Sequence, residues 1–153
     1  MTQEDLAVLA GFDAVWQRVS GQRVETAHEP SVSWAELLGE LERYWQGCRK
    51  LAALAHGSHR SRLMGLAAEA RKVLSMARTE CFLDTGDVFH GEVVCNFASY
   101  TPYNLRKLCK NAVNLAGLLQ KAAAEGCLPV EEAGKCLTDH ARVLKELLRE
   151  CLR

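Results

Sequence analysis

The sequence predicts an all-α protein: a bundle of four helices of similar length, arranged as two antiparallel hairpins joined by one long crossover, after a short N-terminal helix. Three observations predict it. Apolar residues recur every three or four positions along almost the whole chain. Cap and stop residues cut that pattern into four comparable segments. The connections alternate, with tight turns inside each pair and the longer stretch 88–101 between the pairs.

Taken in order, Thr2–Asp5 resembles a capping box, and Leu6, Leu9, Phe12, Val15 and Val19 then mark a short amphipathic helix. Residues 20–32 are polar and contain Pro30, so 1–32 reads as an N-terminal helix and linker and 33–153 as the bundle. Ser33 and Glu36 form a second capping box ahead of Leu37, Leu38, Leu41, Tyr44, Cys48 and Leu51, a stripe that ends at His56–Gly57. The next helix is expected from about Ser58 to Leu83, closing at Asp84–Gly86. Thr101–Pro102 restarts the pattern with a cap and a proline at the first helical position, and that helix stops at Gly126. Pro129 opens the last, which carries Ala133, Cys136 and Leu137, His140, Val143 and Leu144, Leu147 and Cys151. The stretch 88–101 reaches up to about 46 Å when extended. A helix of this size is about 35 Å long. The crossover can therefore run the length of the bundle.

Charge and composition exclude several classes. The chain of 153 residues carries 19 basic and 19 acidic side chains, so it lacks the excess of Lys and Arg that a nucleic-acid binder or a polybasic membrane anchor needs. No apolar run approaches the length of a membrane span. The acidic N-terminus lacks the basic start of a signal peptide, and the expected location is the cytoplasm. The seven cysteines include no C-x-x-C pair and read mostly as small apolar residues in a reducing compartment. Cys109 lies near Lys107 and Lys110, which would favour its thiolate.

One phrase repeats. GLAAEARKVL at 65–74 is echoed by KCLTDHARVL at 135–144, with Glu69 and Asp139 in the same place. Together with Leu51–Ala52 and with Leu144 and Leu147–Leu148, these phrases make residues 33–153 resemble the small ferritin-like or rubrerythrin-like bacterial proteins. The resemblance implies a ferritin-like bundle, in which each hairpin supplies a Glu from its first helix and a Glu-x-x-His from its second to a di-iron centre. Carried onto this chain, those positions are Leu41, Ala70, Val73, Asn111 (or Ala112), His140 and Val143. None is Glu, and both histidine positions are Val. A shift by one residue gives Glu69 with Lys72 and Asp139 with Arg142, which are ordinary surface pairs. The literal Glu-x-x-His, Glu25–His28, falls in the linker.

The expected function is accordingly a non-enzymatic interaction or scaffold protein: a bundle without a complete di-iron site, with no cofactor, working with an unidentified protein partner or as a homodimer. The alternative is a divergent metal-binding protein or oxidoreductase using His140, Asp139 and Glu69, and iron enters only there. Asn111 and Asn114 are expected to hydrogen-bond His140 across the bundle, and His56 and His59 flank the first turn. Arg60, Arg62, Arg71 and Lys72 read as a solvated basic face.

Overall fold

The computed structural model describes residues 33–88, 95–124 and 129–153, so the expected N-terminal helix, the linker with Glu25–His28, and Cys127 lie outside the described residues. Four α-helices make up the described fold: α1 (Trp34–Leu54), α2 (Gly57–Thr85), α3 (Pro102–Ala124) and α4 (Pro129–Cys151). No strand occurs among the described residues, and none of the helices is long and apolar enough to cross a membrane.

The ends follow local chemistry. Glu36 N donates to Ser33 Oγ at 3.1 Å and satisfies one orphan donor of α1. Gly57, at φ +59°, supplies the left-handed residue that reverses the chain into α2, and Gly86, at φ +77°, closes α2 with its N–H on Phe82 O at 2.8 Å. Thr101 caps α3 by accepting from Asn104 N at 3.2 Å. Helix α2 extends slightly beyond Ser58–Leu83 because Thr85 turns its hydroxyl back onto Cys81 O at 2.8 Å and stays in the helical run.

Each helix turns one stripe inward, with alternating steps of three and four: Leu37, Leu41, Tyr44, Cys48 and Leu51 on α1; Leu63, Leu66, Ala70, Val73 and Ala77 on α2; Leu105, Leu108, Ala112, Leu115 and Leu119 on α3; Ala133, Leu137, His140, Leu144 and Leu147 on α4. That spacing keeps the stripe facing its neighbours in near-parallel packing. All of these residues are buried in one shared core. α1 packs on α2 and α3, and α4 packs on α3 and α2, whereas the pairs α1/α4 and α2/α3 sit across the diagonals.

Contacts at the ends give the directions. Trp34 Nε1, at the start of α1, donates to Asp84 Oδ2 at the end of α2. At the other end of the molecule, His59 at the start of α2 meets Tyr100, just ahead of α3, and Cys151 at the end of α4. The chain thus leaves α2 at one end and enters α3 at the other, so α2 and α3 run in the same direction across the diagonal. Phe97 on this connection lies against Gly47 of α1, where an added Cβ would sit 3.1 Å from its ring and 2.9 Å from Leu108 Cδ1.

Candidate metal centre

The site is built around one buried polar side chain. His140 occupies a core position of α4 and is 1% exposed. Its ring is held at both nitrogens, because a buried imidazole must find a partner for each. Nδ1 lies 2.8 Å from the hydroxyl of Tyr44, which reaches across the diagonal from the stripe of α1. Nε2 lies 3.0 Å from Glu69 Oε2 on α2. One turn earlier on α4, Cys136 places Sγ 3.2 Å from the same Glu69 oxygen and 3.5 Å from His140 Nε2. Three donors of different kinds, a carboxylate oxygen, a thiol sulfur and an imidazole nitrogen, therefore converge from two helices.

The electrostatics are set by burial and by the acid. Burial pushes the His140 imidazole below its usual value, and the opposing pull of Glu69 is smaller, so the ring is neutral near pH 7. Glu69 is held below the usual carboxylate range, first by the hydrogen bond from His140. The direction for His140 governs the pair: it is enclosed, whereas the Glu69 side chain is 56% exposed and screened by water. The carboxylate accepts from Nε2–H, which leaves Nδ1 to accept from Tyr44 O–H. Burial and the neighbouring Glu69 push the Cys136 thiol up to about 12. Tyr44 is raised well above its usual value by burial, with Cys48 next to it, and burial pushes the Cys48 thiol up to about 12.

The sequence-derived residues fall into two groups. His140 and Glu69 meet. Asp139 does not join them: it points outward and pairs with Arg142 on its own helix. Asn114 is exposed and Asn111 half-buried, and the polar partners of His140 are Tyr44 and Glu69 in place of either asparagine. Glu69 stays largely exposed with the Lys72 charge nearby, and its carboxylate also accepts from His140. Arg71 is exposed and lies 4.7 Å from the centre of the Trp45 ring, with Arg49 also near that ring at 4.9 Å. Burial raises the Cys109 thiol and outweighs nearby lysine, contrary to the thiolate expected from Lys107 and Lys110. Tyr44 and Cys136 were legible only as stripe residues, yet Cys136 and His140 are four apart on one helix face, a spacing that brings two ligands together.

At the positions that the resemblance implies for a di-iron centre, Leu41, Ala70 and Val73 are buried in the apolar core and Val143 packs against it. Hydrocarbon thus stands at both histidine positions and at two of the carboxylate positions, with half-buried Asn111 at a third, and these described side chains do not fit two irons. Comparison with protein-family models, curated proteins and solved structures returned no match.

Proposed function

We propose that this chain is a metal-binding four-helix bundle that holds a single divalent ion of the zinc class on Glu69, Cys136 and His140. The observation that carries the reading is the triangle of donor atoms. A tetrahedral zinc site with ordinary bond lengths spaces sulfur and nitrogen about 3.6 Å apart, nitrogen and oxygen about 3.3 Å, and sulfur and oxygen about 3.5 Å. The distances here are 3.5, 3.0 and 3.2 Å, so the hydrogen-bonded triangle needs to widen by only about 0.3 Å to become one face of that tetrahedron. Tyr44 completes the support. A hydroxyl both donates and accepts, so it serves the ring when Nδ1 accepts and still serves it when Nε2 is a ligand and Nδ1 carries the proton. The mixed thiolate, imidazole and carboxylate set suits zinc better than a purely hard cation.

The hairpin, crossover and hairpin order supports a ferritin-like topology. The hydrocarbon at Leu41, Ala70, Val73 and Val143 supports a scaffold role over iron-dependent oxidation. A metal on the Glu69 triangle would pin α2 to α4 and is compatible with that role. The test is titration of chelator-treated, untagged protein with zinc, followed by native mass spectrometry. One zinc per chain is expected, with affinity at least about tenfold weaker in Cys136→Ser and His140→Ala. Stoichiometry far below one, or unchanged affinity in both variants, would overturn the proposal. Two irons per chain in untagged protein purified without chelator would favour a di-iron centre instead.

A further inference from the structure

A second cluster of the same residue types lies at the other end of the bundle and is wired differently. His59 at the start of α2 places Nε2 2.8 Å from Glu150 Oε2 and Nδ1 2.6 Å from the hydroxyl of Tyr100. Cys151, the last residue of α4, has Sγ 3.9 Å from Nδ1 and 3.8 Å from Tyr100 Oη. In the candidate metal centre the thiol and the carboxylate share one ring nitrogen, so their donor atoms point at a common spot. Around His59 they lie on opposite nitrogens. That arrangement cannot gather both on one ion through the ring, but it is the order of a nucleophile, a base and an orienting acid.

From this geometry we infer that Cys151 is a nucleophilic thiol, activated by His59 and open to modification by small soft electrophiles. The protonation states follow from the partners. Arg62 pairs with Glu150 and holds its carboxyl below the usual range, so Glu150 is an acceptor and takes Nε2–H. Nδ1 is then the free base of the ring. Tyr100 O–H donates to it, and the Cys151 thiol donates to the Tyr100 oxygen. When the sulfur attacks, an S–C bond forms and the carbon–leaving-group bond breaks. The thiol proton passes to Tyr100 as the Tyr100 proton passes to Nδ1, and the leaving group departs with the electron pair. The product is a thioether with an imidazolium held between Tyr100 and Glu150.

The other described thiols lack this combination. Cys48, Cys81 and Cys109 are buried. Cys136 faces Glu69, whose negative charge opposes thiolate formation. Cys95 is half-buried like Cys151 but lies on the crossover with no imidazole among its described hydrogen bonds, which makes it the natural internal reference. The inference is independent of the metal proposal, since neither His59 nor Cys151 belongs to the Glu69 triangle.

The test is alkylation of the full chain by iodoacetamide at pH 7 in the presence of chelator, with the rate at each cysteine read by peptide mass spectrometry. Cys151 is expected to react at least about tenfold faster than Cys95, and His59→Ala to remove that advantage while the Cys95 rate holds. Glu150→Gln, a change at an exposed side chain, is expected to slow Cys151 about threefold or more by removing the negative charge that stabilises the imidazolium while keeping an acceptor for Nε2–H. Should His59→Ala also expose the buried thiols, the Glu150→Gln variant decides. A Cys151 rate equal to that of Cys95, or one that stays within a factor of about two in Glu150→Gln, would overturn the inference.

Discussion

Replacing Tyr44 by Phe removes one oxygen and leaves the ring in its place on the α1 stripe. What is lost is the hydroxyl 2.8 Å from His140 Nδ1. In the metal-free protein Nε2–H is engaged with Glu69, so Nδ1 becomes a buried acceptor without a donor. At 1% exposure, water has no route to replace it. An ordinary hydrogen bond contributes about 1 kcal/mol net, and an orphaned buried polar group costs about 1–3 kcal/mol. For a domain of this size each kcal/mol moves Tm by about 2–4 °C, so a drop of roughly 3–10 °C is expected. Urea unfolding in chelator measures it directly: the midpoint should fall with m unchanged. Adding His140→Leu removes both polar partners, and the double variant should recover much of the loss. A Tyr44→Phe cost below about 0.3 kcal/mol, or strict additivity with His140→Leu, would show that the pair is not coupled as described.

Three other outcomes are expected. Leu41→Ala, at a fully buried core position, should cost about 2–5 kcal/mol in urea unfolding, since the position is packing. Gly47→Ala should destabilise by about 1–3 kcal/mol against Leu108 and Phe97, whereas Gly65→Ala, with open space at its Cβ, should stabilise by about 0.5–1 kcal/mol; comparing the two Tm shifts checks the close approach at Gly47. In chelator, stability should fall as pH drops. His140 is depressed from 6.5 by burial and Glu69 from 4.5 by its hydrogen bond to His140, so the unfolded chain takes up each proton first. The loss begins as pH passes below about 6.5 and deepens below about 4.5, and His140→Leu should flatten the upper part of the urea midpoint–pH curve.

Much of the fold was legible because each of its signals is local. Ser33, Thr101 and Pro129 mark starts, and a stripe at steps of three and four marks each buried face, so boundaries needed no knowledge of the neighbours. The site was legible only in part, because it is made by tertiary contact. His140 stood out as a polar residue on an apolar stripe. Glu69 is largely exposed, and only the approach of α4 to α2 turns its carboxylate inward. Tyr44 reads as one more large core residue until the diagonal helix supplies an acceptor for its hydroxyl. The echo between 65–74 and 135–144 acquires a spatial meaning as well: the two phrases lie on neighbouring antiparallel helices and meet at their own midpoints, where Glu69 touches His140.

The bond across the diagonal also bears on uniqueness. A core of Leu and Ala repeating at steps of three and four is nearly the same after a shift of seven residues, so hydrocarbon alone distinguishes poorly between adjacent alignments of α4. Such a slip would carry His140 away from Tyr44 and strand an imidazole and a phenol in the interior at once. The Tyr44–His140 contact therefore acts as an index mark that penalises every misaligned bundle. Swapping both residues for hydrocarbon would leave the chain comparably stable yet populate several alignments, visible as broadened amide resonances.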